Sequence, residues 1–233
     1  MIRGVAFDLD HTLFDRYATL RAVAPDFYRD FRARLAPGIT EADVSRLIQW
    51  ADRAFIHFEW EILFGELLKT GLFADPPTWE EYRDYLRGKF AEIAVPFPFA
   101  RPTLAALRAD GYKLGLITNG GEALQRAKLR MLQMENDFDA VLITGAFGTD
   151  KPDPAPFAAM AAQLALPPAE LLYVGDNPFN DVEGARRAGY TPVWIRTTGS
   201  WVAPELPQPA LQADTVAELP AMLRALNGGA ANT

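Results

Sequence analysis

The sequence predicts an α/β fold: a parallel sheet covered by helices on both faces and interrupted by one all-helical block. Three observations carry this. Apolar runs too short to be helices recur along the chain. After residue 110 they alternate with helical patterns, and that alternation is the signature of a parallel sheet. Between residues 15 and 97 only helical patterns occur.

The first run, Val5-Ala6-Phe7, reads as a strand buried on both faces and leads into Asp8-Leu9-Asp10. Three helical stripes follow. Leu20, Val23, Phe27, Phe31 and Leu35 form one. Val44, Leu47, Ile48, Ala51, Phe55, Phe58 and Ile62 form another. Trp79, Tyr82, Leu86, Phe90 and Ile93 form the third, opened by the capping-box pattern Thr78-Trp79-Glu80-Glu81. Pro37-Gly38 and Pro76-Pro77 punctuate the block, and Pro96, Pro98 and Pro102 mark its end. The expected organisation is therefore a sheet domain of residues 1–14 and 98–233 with a helical insert of residues 15–97.

Further strands are expected at Lys113 to Thr118, Ala140 to Thr144, Leu171 to Gly175 and Thr191 to Ile195, with a weaker one at Asp214 to Val216. Between them, Leu124, Ala127 and Met131 share a helical face. So do Phe157, Met160, Ala161 and Leu164, and later Val216, Leu219, Leu223 and Leu226. Gly111 and Gly189 stand where helices would end. The small, polar tail from Asn227 to Thr233 is expected to fray.

Composition narrows the function classes. Of 233 residues 49% are hydrophobic and 23% charged, so the chain can bury an ordinary core and is not mostly disordered. Thirty acidic against 23 basic residues leave a net charge of −7, which offers nucleic acid phosphates no global attraction. No cysteine is present, which removes disulfides, thiolate metal sites and cysteine nucleophiles. With only His11 and His57, a multi-histidine zinc site is not expected either. The opening residues do not read as a signal peptide and no run approaches a membrane span, so the expected address is cytoplasmic.

The polar residues collect at strand ends. Side chains two apart in extended chain face the same way, so Asp8 and Asp10 both face the space beyond the first strand. Thr118-Asn119 ends the second strand, Asp176 follows the fourth, and Lys151 opens the turn Lys151-Pro152-Asp153-Pro154. The C-terminal ends of strands are where open α/β sheets bind ligands. Clustered carboxylates with neither thiol nor imidazole call for a hard cation, and Mg²⁺ fits. Lys151, Thr118 and main-chain N–H groups could then cradle phosphoryl oxygens.

Four segments in order, Asp8-Leu9-Asp10-His11-Thr12, Ile117-Thr118-Asn119-Gly120, Lys151-Pro152-Asp153-Pro154 and Gly175-Asp176-Asn177-Pro178-Phe179-Asn180-Asp181, resemble the ordered motifs of the haloacid dehalogenase-like hydrolase superfamily. The likeness runs to about residue 226. It implies a Rossmann-like core and makes the insert similar to that superfamily's cap. It further implies roles. Asp8 would be the nucleophile that forms an aspartyl-phosphate. Asp10 would protonate the leaving alcohol and then deprotonate water. Thr118, with Asn119 beside it, and Lys151 would bind the phosphate. Asp8, Asp176 and the main-chain carbonyl of Asp10 would hold Mg²⁺, with Asp181 as a partner through water or behind the ligands. An acid at position 10 favours phosphoryl transfer over dehalogenation, since a departing halide needs no proton.

The expected activity is Mg²⁺-dependent hydrolysis of a small phosphorylated metabolite, a nucleotide or sugar phosphate, with neither nucleic acid nor membrane as partner. A phosphomutase of the same superfamily and a non-catalytic phospho-ligand-binding protein are the alternatives. Many members carry glycine where His11 stands, and its imidazole could face substrate or pack beneath the cap. His57, Phe58, Trp60 and Glu61 could form a lid surface, although aromatics at helical spacing fit a helical core better. Trp201 and Pro204 read as loop packing, and Arg186-Arg187 as a solvated helix face.

Overall fold

The computed structural model describes residues 1–55 and 59–229. Two compact units result, one of Met1–Asp15 with Pro96–Thr233 and one of Arg16–Val95. Against the expected junctions at 14/15 and 97/98, the first unit keeps Asp15, Pro96 and Phe97. Hydrogen bonding explains why: Phe97 N donates to Leu13 O at 3.0 Å, and Phe14 bridges Pro96.

The first unit is built on a six-stranded, all-parallel sheet. Its strands are β1 (Gly4–Phe7), β2 (Lys113–Thr118), β3 (Ala140–Ile143), β4 (Leu171–Gly175), β5 (Thr191–Ile195) and β6 (Leu211–Ala213), in the spatial order β3-β2-β1-β4-β5-β6. This is a Rossmann-like order. Every residue of β1 is buried, as a central strand covered on both faces must be. Phe7 is in register with Leu116 of β2 and Val174 of β4. The C-terminal ends of these three neighbours therefore lie side by side, and Asp8, Thr118 and Asp176 emerge together.

The element expected at Asp214 to Val216 is displaced. The strand is β6, and the Asp214 and Thr215 main-chain N–H groups donate to Glu218 Oε1 at 2.7 and 3.1 Å. That capping arrangement commits the segment to a helical start, and buried Val216 packs as part of it. The tail also departs from expectation at Asn227. Its side chain exchanges two hydrogen bonds with the main chain of Ile2, at 2.8 and 2.9 Å, and so ties the last helix to the first residues. Gly111 and Gly189 do follow helix ends, at φ 85° and 82°, where side chains would be strained.

The second unit holds α1 (Arg16–Asp30), α2 (Glu41–Ala54), α3 (Trp60–Leu68) and α4 (Trp79–Glu92), and the chain continues in the first unit with α5 (Ala100–Ala109), α6 (Glu122–Met131), α7 (Thr144–Phe147) and α8 (Pro154–Leu164). The first expected stripe overruns its helix: α1 ends at Asp30, while Phe31 and Leu35 are buried in the turns beyond, Phe31 stacked on Phe27 at 4.6 Å. The second stripe divides into α2 and α3, and Ile62 is exposed. The third is α4, with Thr78 and Glu81 forming the reciprocal cap. Inside this unit Arg16 and Asp52 form a buried ion pair at 2.7 Å, and the Arg16 guanidinium lies 4.5 Å from the Trp60 ring centre. Of the residues considered for a lid, His57 and Phe58 lie outside the described residues.

Candidate active site

All the expected site residues belong to the first unit. β1 continues one step past Phe7, since Asp8 N donates to Val174 O at 2.9 Å, and this brings the Asp8 side chain into the rim of the sheet. Lys151 reaches the same point from the turn before α8 (Pro154–Leu164), a helix capped by Asp153. The Lys151 side chain is 2% exposed. Each of its three N–H donors has an acceptor: Asp8 Oδ1 at 2.7 Å, Asp181 Oδ1 at 2.7 Å and the Tyr173 hydroxyl at 2.8 Å. Burial alone would lower the Lys151 ammonium, but Asp181, Asp8 and Tyr173 hold it well above the usual lysine range.

Asp176 completes a buried carboxylate group. One oxygen from each of Asp8, Asp176 and Asp181 lies within 4.8 Å of the others. Burial pushes the Asp8 carboxyl up to about 7 against the pull of Lys151, with Asp181 and Asp10 adding to the rise. Burial, then the charges of Asp181 and Asp8, push Asp176 well above the ordinary carboxylate range. Three ionised carboxylates against one ammonium would leave an excess of two negative charges in a dry site. A divalent cation with oxygen ligands offsets that excess, so the donor set fits the magnesium-like ion expected. Asp181 Oδ2 also accepts from Asn177 N at 2.9 Å, which leaves Asp181 engaged on both oxygens and supports a place behind the ligands.

The Asp10 carboxylate lies apart from that group, against Lys128 Nζ at 2.8 and 2.9 Å and Gln125 Nε2 at 3.2 Å. The metal ligand expected from Asp10 is its main-chain carbonyl, which leaves this carboxylate for other work. Thr118 is buried, and its hydroxyl accepts a hydrogen bond from Gln125 Nε2. Asn119 was expected beside the phosphate, but both ends of its side-chain amide are used on the Lys151 main chain, each at 3.0 Å. That closed pair of bonds ties the Asn119 side chain to the Lys151 backbone.

Three contributors escaped sequence reasoning. Tyr173 reads as one more apolar strand residue in Leu-Leu-Tyr-Val-Gly, yet a buried phenol needs a partner, and this one donates to Ile117 O at 3.1 Å. Gln125 and Lys128 belong to α6 (Glu122–Met131). The face expected inward carried Leu124, Ala127 and Met131, but Met131 is 45% exposed and the buried residues are Gln125, Lys128 and Leu129. A polar site beside the helix turned it away from its apolar stripe.

His11 has φ 60°, in the left-handed region that glycine adopts freely and histidine adopts at a cost of about 1 kcal/mol. This explains why glycine suits the position. Trp201 packs its ring on Trp194 at 5.0 Å and donates to Ala203 O at 2.7 Å, as loop packing requires. Arg186 and Arg187 are more than half exposed and pair with Glu183.

Gly175 is required by close approach. A Cβ built there would lie 2.6 Å from Asp181 Cβ and would also strike its carboxyl group. Gly175→Ala is expected to cost about 1–3 kcal/mol of stability through overpacking. Turnover should fall by about tenfold or more as Asp181 is driven off Lys151. Denaturant unfolding alongside steady-state kinetics checks both.

A Rossmann-like sheet whose strand ends gather buried carboxylates around one lysine makes this an α/β protein with its candidate site at the carboxyl rim of the sheet. The family model for haloacid dehalogenase-like hydrolase matches residues 2–189, and the chain belongs to that family. It is 33% identical over 205 residues to a glyceraldehyde 3-phosphate phosphatase of Methanopyrus kandleri, with 84% of each chain covered. It is also 33% identical over 218 residues to a phosphoserine phosphatase of Thermus thermophilus, covering 81% of this chain and 86% of the relative. Among solved structures, a HAD phosphatase from Thermococcus onnurineus superposes with a TM-score of 0.60 at 26% identity, covering 95% of this chain and 98% of that one. Among the described residues no helix is long and apolar enough to cross a membrane.

Proposed function

We propose that this enzyme hydrolyses small phosphomonoesters through a phosphorylated Asp8. The observation that carries the reading is the contact of one buried ammonium, Lys151 Nζ, with both Asp8 and Asp181 at 2.7 Å beside Asp176. In the first step an Asp8 oxygen attacks phosphorus, the bond to the ester oxygen breaks, and Asp10 gives that oxygen its proton. In the second, Asp10 takes a proton from water, the hydroxide attacks the same phosphorus, and inorganic phosphate leaves while Asp8 is restored. Lys151 keeps Asp8 oriented and offsets negative charge on the phosphoryl oxygens. Thr118 donates its hydroxyl to one of them. Asp8, Asp176 and the Asp10 carbonyl would hold Mg²⁺, which, when bound, supplies positive charge to the nucleophile and phosphate.

The substrate class we infer is short-chain phosphorylated metabolites. The relatives' names support this choice over nucleotides, because they are glyceraldehyde 3-phosphate and phosphoserine phosphatases. Colorimetric phosphate release over a panel of glyceraldehyde 3-phosphate, phosphoserine, sugar phosphates and nucleotides tests the reading. Short-chain esters should rank highest by kcat/KM. EDTA should abolish release and added Mg²⁺ restore it. A silent panel with Mg²⁺ present would leave a binding protein, and a bisphosphate product in place of phosphate would make it a mutase.

A further inference from the structure

We propose that Lys128 and Gln125 are positioning residues that hold the Asp10 carboxylate and the Thr118 hydroxyl in their reactive orientations. The inference rests on reading Asp10 as the group that transfers protons.

Lys128 Nζ contacts both Asp10 oxygens, at 2.8 and 2.9 Å, and Gln125 Nε2 reaches Oδ2 at 3.2 Å. The lysine side chain is 2% exposed and that of Asp10 25%. The grip is thus on the inner side of the carboxylate, and an outer edge stays accessible to substrate and water. Lys128 Nζ also sits 4.8 Å from the centre of the Phe14 ring, which limits its own freedom. Positions three apart on a helix share a face, so the rigid backbone of α6 presents both groups together.

Besides Asp10, Gln125 serves two further neighbours at once. Its Nε2 donates to the Thr118 hydroxyl and lies 3.1 Å from Asn119 O. A hydroxyl that accepts from an amide keeps its own proton to donate, and the ligand's phosphoryl oxygen is the acceptor the mechanism supplies. Burying a lysine and a glutamine opposes folding unless each finds partners, and apolar residues would pack this face at less cost. The partners found here include two groups of the proposed reaction, Asp10 and Thr118. Without the grip, Asp10 is released to its other rotamers.

The test compares kcat/KM on two substrates. p-Nitrophenyl phosphate releases a phenolate that needs no proton, whereas the panel's best alkyl phosphomonoester releases an alkoxide that does. Asp10→Asn should lose about tenfold or more beyond its aryl loss on the alkyl ester. Lys128→Met, which keeps the unbranched stem, should show the same skew at roughly tenfold, and Lys128→Arg should restore the wild-type ratio in part. In an Asp10→Asn background, Lys128→Met should cost less than about twofold more, because the two act as one unit.

Gln125→Leu should skew in the same direction and decides the matter if Lys128→Met does not fold. Equal losses on both substrates, or a full additional loss in the Asp10→Asn background, would overturn the inference. A skew in Asp10→Asn without one in the Lys128 and Gln125 variants sinks it alone. No skew in Asp10→Asn itself removes the role of Asp10, and the inference with it.

Discussion

Replacing Asp8 by asparagine is expected to reduce turnover of p-nitrophenyl phosphate by roughly 10⁴-fold or more, the scale on which loss of a covalent nucleophile acts. The substitution is close to isosteric, and the neutral amide oxygen is too weak a nucleophile to attack phosphorus. The fold should survive. Asp8 is almost fully buried, and burial already pushes its carboxyl up to about 7, so a neutral side chain removes a desolvated charge. Lys151 would keep Asp181 and Tyr173 as partners. An unchanged melting transition with no burst of p-nitrophenol would assign the loss to chemistry. Activity near that of the wild type would remove Asp8 as nucleophile.

Lys151→Met is expected to damage stability and activity together. The methionine fills a similar volume but leaves Asp8 and Asp181 buried without the ammonium that both now contact at 2.7 Å. Breaking a buried ion pair by removing one partner typically costs about 3–5 kcal/mol, because the remaining charge is uncompensated. Since two carboxylates lose their cation here, the upper part of that range is expected. Excess Mg²⁺ should return part of the stability, as any ligand specific to the native state does. Turnover should stay at least about 10³-fold down even when the fold is rescued, since the charge opposite the phosphoryl oxygens is gone. Urea unfolding with and without Mg²⁺, run beside kinetics, separates the two effects. A variant of wild-type stability would show that the carboxylates do not depend on the lysine.

Much of this is legible in the residue order. Val5–Phe7 could only be a central strand, being apolar at every position and too short for a helix. Asp8 after it, the threonine ending the next buried run and the aspartate after Gly175 are therefore expected at one rim of a parallel sheet, while the Asp10 carboxylate goes to Lys128 and Gln125 instead. A turn ahead of a helix start does not by itself separate Lys151 from a surface lysine; the order of the four motifs singles it out. Periodicity was less reliable where two local signals competed. An apolar stripe from Val44 to Ile62 does not reveal that α2 ends at Ala54 and α3 starts at Trp60, since a period of about 3.6 in the pattern can run on past a helix end. Val216 marked a strand until the Glu218 cap claimed its segment.

From residue order and periodicity come the parallel sheet, the helical insert and the acids at strand ends, because strand burial and strand-end position follow from local pattern; the lysine comes from the likeness of the ordered motifs. Only the tertiary structure turned α6 so that Gln125 and Lys128 face inward, gave Asn119 to the Lys151 main chain and brought Tyr173 to the ammonium. Those choices depend on which distant polar group each side chain meets. A buried donor or acceptor must be paired wherever its partner stands, and the distance along the chain, 118 residues from Asp10 to Lys128, carries no trace of that meeting.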